Sequence, residues 1–136
     1  MAQGLSHYEE ILKTIPGLIC DSSLTTSDDG TNYQYHFVKM TADLTVGRVA
    51  GTTEQAIGVL VSKPTTGHAA TVAGAGSVVK AVAGGTITAG QLVSSDASGH
   101  AVAGASSSYT PGIALEGASS GNLVTVLLLG GMDIKA

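Results

Sequence analysis

Tryptophan is absent, phenylalanine occurs once, and charged residues make up only 12% of the 136-residue chain. Tyr33, Tyr35 and Phe37 are three of the five aromatics, and their stretch is expected to supply the bulkiest part of the core. Tyr109 is the only aromatic after residue 37, which argues against a carbohydrate-binding module, since such modules stack exposed rings on sugar faces. The charged share is about half the usual one. Six bases scattered along the chain form no patch that could neutralise phosphates, so direct nucleic-acid binding is not expected. A single cysteine, Cys20, rules out an intrachain disulfide and a cysteine-pair zinc site. It has no adjacent base, and reads as a buried or idle thiol. No run approaches the roughly 20 apolar residues of a membrane-spanning helix. The first residues are polar and acidic, unlike a secretory leader, so synthesis in a cytoplasm with no export by that route is expected.

What is present is Ala, Gly, Val, Ser and Thr, with 43% apolar residues. A disordered chain would be less apolar and more charged. The charge is uneven: the first 54 residues hold seven acids against three bases, a net of −4, and the remainder balances three acids with three lysines. A near-neutral surface of small residues does not hold molecules apart by repulsion. It suits a protein packed against copies or partners.

The N-terminal stretch differs from the rest. Ser6-His7-Tyr8-Glu9 has the form of a capping box. Tyr8, Ile11, Leu12 and Ile15 follow at the spacing of one helical face, and Pro16-Gly17 closes the segment. The spacing predicts a short helix that must dock on something, because two to three turns do not persist alone in water. "CDSSLTTSDDG" then reads as a polar loop. Residues 1–30 are thus expected to form an N-terminal arm, and 31–136 a β-rich domain.

From Tyr33 the pattern is that of strands. "YQYHFVKMTA" alternates Tyr33, Tyr35 and Phe37 on one face. Eight short runs follow, separated by Gly, Ser, Thr or Pro: "TVGRVAG", "QAIGVLVSK", "HAATVAG", "SVVKAVAG", "QLVSS", "HAVAG", "TPGIALEG" and "NLVTVLLL". The fold class they predict is all-β, a small barrel or sandwich of short strands. "SSDASGHAV" is a hairpin signal, with Gly99 at a positive φ. There is also an internal echo. Gly58-Val59-Leu60, Gly67 and Thr71-Val72 match Gly112-Ile113-Ala114, Gly121 and Thr125-Val126 at the same spacing. Upstream, "TVGRV" at 45–49 matches "TAGQL" at 88–92, which makes the second copy longer by the eleven residues of "SSDASGHAVAG". One domain built from two similar β-units accounts for this.

No reactive constellation emerges. Gly117-Ala118-Ser119-Ser120-Gly121 fits the G-x-S-x-G of serine hydrolases. That motif needs a strand entering and a helix leaving, whereas "NLVTVLLL" reads as a strand and no histidine follows His100. His7, His36, His68 and His100 share no local metal spacing. "GAGSVVK" lacks the lysine position of a phosphate loop, and "SDDGTN" lacks the closing glutamate of a calcium loop. No catalytic residue, metal or cofactor is expected.

The stretch from about Leu44 to Leu129 resembles the capsid cement, or head decoration, proteins of tailed bacteriophages. The residues that carry the resemblance are the "IGVL…KP" turn, the "AGQLVSSDASGHAV" hairpin, the "PGIALEGASSG" loop and the closing "VTVLLL" strand. The resemblance implies a small β-rich structural protein, commonly a homotrimer, on the exterior of the mature capsid. There it would bridge subunits of the major capsid protein, with an N-terminal arm making part of the contact. Leu5, Tyr8, Ile11, Leu12 and Ile15 are the apolar anchors that such an arm would offer. Synthesis would be in the host bacterial cytoplasm, and the partners would be the major capsid protein and the chain itself, with no nucleic acid or membrane. The other readings are a tail- or fibre-associated virion component and a β module that binds the host surface.

Overall fold

Short β-branched runs broken by glycine can only make short strands, and the described residues assemble ten of them into two five-stranded sheets. The computed structural model describes residues 12–25 and 32–129. The first sheet holds β1 (Ile19–Cys20), β2 (Phe37–Ala42), β3 (Thr45–Arg48), β4 (Gly58–Leu60) and β5 (Val72–Ala73), in the order β1-β3-β2-β4-β5. The second holds β6 (Val78–Val82), β7 (Leu92–Ser95), β8 (Ala101–Ala103), β9 (Gly112–Ala114) and β10 (Leu123–Leu128), in the order β6-β10-β9-β7-β8. The all-β expectation holds, and each of the eight short runs contains a strand. The β7–β8 turn has Gly99 at φ 83°.

The two sheets are copies of one design. In the first, β2 pairs with β3 through Val38↔Arg48, Lys39↔Gly47 and Met40↔Val46. In the second, β7 pairs with β8 through Val93↔Ala103, Ser94↔Val102 and Ser95↔Ala101. Phe37↔Val59 and Val38↔Gly58 correspond to Leu92↔Ile113 and Val93↔Gly112. Leu60↔Val72 and Val59↔Ala73 correspond to Ala114↔Val126 and Ile113↔Leu127. The sequence echo is therefore real between 58–72 and 112–126. Upstream it is misaligned. "TVGRV" lies over β3, whose structural counterpart is β8 in "HAVAG". "TAGQL" is mostly a turn with Gly90 at φ 88°. Aligned this way the copies have nearly the same length, so the second carries no added hairpin.

Each sheet curls until its edges meet through one segment. In the second, β6 runs along β10 and its next residue, Ala83, bridges Ala101 of β8. In the first, Thr14 bridges Ala73 of β5, and β1 then lies parallel to β3. The Ile15 N–H donates to the Val72 carbonyl at 3.0 Å, and the Gly74 N–H to the Lys13 carbonyl at 2.8 Å. Leu12–Ile15 are consequently extended, where the apolar spacing predicts the last turn of a helix. Their backbone groups find partners on a neighbouring strand. The capping box, Leu5, Tyr8 and Ile11 lie outside the described residues. Leu18, Cys20 and Leu24, placed by sequence in an arm and a polar loop, are buried.

The inner faces carry Leu18, Cys20, Val38, Val46, Leu60, Ala70 and Val72 in the first sheet. Ala81, Ala83, Val93, Ala101, Ala114, Val124 and Val126 occupy the second. Phe37, Val59 and Ala73 point outward from the first sheet and join the second sheet's core, so β4, β5 and the start of β2 are buried on both faces. Tyr33 and Tyr35 lie before β2, half-buried, with Tyr35 at φ 68°. Phe37 alone supplies the bulk expected of all three.

Glycine at the start of β4 and β9 is a packing requirement. A Cβ on Gly58 would lie 2.0 Å from the Ala73 carbonyl oxygen, and one on Gly112 2.5 Å from Val126 Cγ1. Gly85 has nothing within 4 Å. Gly58→Ala is expected to cost about 3 kcal/mol, and Gly85→Ala no more than about 0.5 kcal/mol. Urea unfolding of the two variants checks the ranking, and equal midpoints would contradict the packing account.

Candidate functional site

The residues that suggest chemistry in the sequence are structural here. Ser119 and Ser120 are exposed in the turn that leads into β10. Gly121 takes φ 88°, its N–H donates to the Ala83 carbonyl, and the Asn122 N–H closes on the Ser119 carbonyl. The first sheet has the same turn at Pro64–Gly67, with Gly67 at φ 79°, its N–H on the Cys20 carbonyl, and His68 closing on Thr65. The serine motif is the second copy of a β-turn, and a strand leaves it. Cys20 is buried, and its Sγ donates to the Thr65 carbonyl at 2.9 Å. Burial pushes its thiol pKa up, which keeps it protonated. Among the described residues no group of three or more His, Cys, Asp or Glu is placed to hold a metal ion.

The structure does bring together a cluster that sequence spacing could not reveal. His36, just before β2, lies 4.8 Å ring to ring from His100, in the β7–β8 turn. The Phe37 N–H donates to the Gly99 carbonyl at 2.8 Å, joining the two sheets at the same point. Asp96 holds His100 through its backbone N–H at 2.9 Å and its ring Nδ1 at 3.3 Å. The Arg48 guanidinium stacks over Tyr33 at 4.8 Å, and Tyr33 meets the His36 ring edge-on. Burial lowers the pKa of His36, a backbone bond to Gln34 opposes this, and His100 and Arg48 lower it further. The cluster is a seam between the halves.

An open cleft of about 500 Å³ is lined by Lys39, Met40, Thr53, Glu54, Gln55, Ile57 and Tyr109. Lys39 pairs with Glu54, whose other oxygen accepts the Ala50 N–H at 2.6 Å. The Lys39 bond first, then the Ala50 N–H, hold the Glu54 carboxyl below its ordinary value. With its charges already paired, the cleft ties the 50–57 loop to the sheet. The Tyr109 N–H, bonded to the Thr52 carbonyl, adds a tie from the second half.

What remains to act on a partner is surface. Leu12 is exposed, and Ile15 is half-buried against the first sheet's core. Ile19, Met40 and Leu44 are exposed at one end of the first sheet, and Leu92, Leu115 and Leu123 on the second. A scan of protein families matches residues 29–129 to the phage cement proteins. The chain belongs to the phage cement protein family. It is a structural component of the phage virion. No curated protein gives a significant match. Among solved structures, the N base of the bacteriophage phi29 head fibre, gp8.5, has a TM-score of 0.60 at 20% identity. The match covers 88% of this cement protein and 94% of that chain, so the two share a fold. The family match begins at residue 29, earlier than the Leu44 start of the sequence resemblance, and takes in β2.

The seam makes cement-protein stability sensitive to acid. In the unfolded chain His36 titrates near 6.5, and in the fold its pKa is lower. Below about pH 6.5 the unfolded state therefore binds more protons, and stability falls with pH until the folded pKa is passed. Asp21, Glu54 and Glu116, with lowered pKa values, lose their contribution only near and below pH 4. A thermal midpoint that drops between pH 7.5 and 5.5, and drops less in His36→Gln, is the expected result. An identical profile in the variant would remove His36 from the account.

Proposed function

We propose that the protein binds the exterior of the mature capsid as a homotrimer and stabilises the shell by bridging subunits of the major capsid protein. Membership of the cement family over residues 29–129 is the observation that carries this reading. The physics of the chain agrees with it. A molecule that binds the assembled shell and not its separated parts shifts the equilibrium against rupture by mass action. Many copies held at once turn modest contacts into strong holding. The low charge of residues 55–136 lets such copies lie close together.

The N-terminal segment is the proposed anchor. Residues 13–20 are tied into the first sheet, so the proposed anchor is the stretch that precedes them. Leu5, Tyr8, Ile11 and exposed Leu12 supply its apolar contacts, and Ile15 fixes its root against the core. A second reading, the base of a head fibre, takes its support from the fold shared with the phi29 fibre base. In that case the particle would carry further protein outside this one, which imaging of the virion would reveal.

Purified protein added to expanded, undecorated heads is expected to bind to saturation in a fixed ratio and to raise their rupture temperature. Absence of binding, or binding confined to immature shells, would overturn the cement reading. Removing residues 1–11 is expected to weaken head binding at least tenfold while the thermal midpoint of the free protein stays within a few degrees, roughly 1 kcal/mol for a domain of this size. The reverse ranking would assign the segment to the fold instead.

A further inference from the structure

The two histidines of the seam have their ring protons placed in the same way. His36 Nδ1 lies 3.1 Å from the Gln34 carbonyl oxygen. A carbonyl only accepts, so Nδ1 carries the proton and Nε2 presents a lone pair. His100 Nδ1 lies 3.3 Å from Asp96 Oδ2, and a carboxylate selects the same tautomer. Histidines that ligate a metal through one ring nitrogen almost always donate the other N–H to a backbone carbonyl or a carboxylate, and the pair shows one case of each. Neither Nε2 has a hydrogen-bond partner among the described residues. Ser94 Oγ is the one buried side-chain polar atom without a partner there, so neither Nε2 is sealed from solvent. The ring centres are 4.8 Å apart and the planes are inclined at 48°. Two imidazoles that share one ion at the usual metal–nitrogen length have centres roughly 5 Å apart. Both backbones are held. The His36 N–H donates to the Tyr33 carbonyl and its carbonyl accepts the Leu60 N–H, while the His100 carbonyl accepts the Asp96 N–H. Bare glycines make the room: a Cβ on Gly84 would lie 2.6 Å from Asp96 Oδ2 and 2.8 Å from His100 Cβ, and one on Gly99 3.3 Å from His36 Cβ.

We propose that His36 and His100 together bind one divalent transition-metal ion through their Nε2 atoms, and that the ion ties the first half of the molecule to the second. The donor set decides the class of ion. Neutral imidazole suits Zn²⁺, Ni²⁺ and Cu²⁺, whereas Mg²⁺ and Ca²⁺ require oxygen ligands. No third His, Cys, Asp or Glu joins the pair among the described residues, so water completes the coordination and the ion is exchangeable. Charge sets the strength. The Arg48 guanidinium, over Tyr33, is felt at His36 and opposes a second cation, while the Asp96 carboxylate beside His100 offsets it. The ion would sit next to the Phe37 N–H bond to the Gly99 carbonyl, one residue from each histidine, where the halves are already joined. An ion held only when the halves are docked stabilises the docked state by mass action. Nothing in the site depends on how the protein meets the capsid. His68 offers no such pair: its Nδ1 is engaged by Thr65 Oγ1 and the Thr66 carbonyl in an exposed turn.

The test is equilibrium dialysis of the full chain against Zn²⁺ and Ni²⁺, with Mg²⁺ as the hard-ion control, and a thermal midpoint measured on the same samples. The wild type is expected to hold one Zn²⁺ or Ni²⁺ per chain and to melt a few degrees higher with it, with no response to Mg²⁺. His36→Gln and His100→Gln are each expected to weaken binding at least tenfold, because a single imidazole remains. The double variant His7→Gln with His68→Gln is expected to bind as the wild type does. Asp96→Asn separates a metal site from mere packing. Its oxygen still accepts the Ser98 and His100 backbone N–H groups that Oδ1 accepts now, but its amide N–H faces the His100 ring and moves the ring proton to Nε2. Ion affinity is then expected to fall about tenfold with the ion-free midpoint little changed. Should His36→Gln fail to fold, His100→Gln and Asp96→Asn carry the measurement. A wild type that takes up neither ion at millimolar concentration, binding that survives in His100→Gln, or binding lost with His7 and His68 overturns the proposal.

Discussion

A sheet of five short strands has two open edges, and everything in this molecule depends on how they are joined. Unpaired strand edges invite pairing with other chains. Here one segment leaves the last strand and crosses to the hairpin strand on the far side: residues 13–20 in the first half, Val78–Ala83 in the second. The curl this demands is tight, and tightness explains the composition. Residues that face inward at equivalent places are Cys20 and Ala83, Val46 and Ala101, Leu60 and Ala114. An interior so narrow is filled mostly by alanine, valine and leucine, and among the described residues Phe37 is the one fully buried ring in it. Scarcity of aromatics is therefore a consequence of the architecture, and the glycines at 58 and 112 follow from the same closeness of neighbouring backbone.

Strands were legible because their signal is local. Runs of Val, Ile, Leu and Thr between turn residues fall on strands wherever they occur, from "TVGRVAG" to "NLVTVLLL". The closing segment was not legible, because its partner is distant. "LIC" carries no alternation of its own, and Ile19–Cys20 become a strand only because β3 lies beside them. Helical spacing at Tyr8, Ile11, Leu12 and Ile15 gave a false lead at its described end for a related reason. An apolar residue at Ile15 serves the inner face of an extended segment as well as it serves a helix. The repeat shows both outcomes. It could be read where glycine and Thr-Val are demanded twice, at Gly58 and Gly112 and at Val72 and Val126. It was misread upstream, where Arg48 and Ala103 occupy one structural place with nothing in common.

Function was legible as a resemblance before it was legible as a site. The serine in the G-x-S-x-G stretch is explained by the repeat, since Pro64–Gly67 makes the same turn without the motif. No local pattern could have joined His36 to His100, because the seam exists only once the halves are docked. The outer row of the second sheet was equally hidden. Leu92, Ile113 and Leu127 each look like ordinary strand residues in a list of apolar positions. Only register puts them on the face opposite Val93, Ala114 and Val126.

Duplication alone would give a poor building block. Two identical halves would present the same apolar row twice, and a surface that both offers and receives the same contact at two places can extend without closing. This chain avoids that by using one row internally. Phe37, fully buried with Val59 and Ala73, commits the first half to the second and removes one of the two faces from play. The remaining row, Leu92, Ile113 and Leu127, has no such partner within the described residues. The asymmetry between the halves therefore lies in one packed face, and their shared register is what makes it visible.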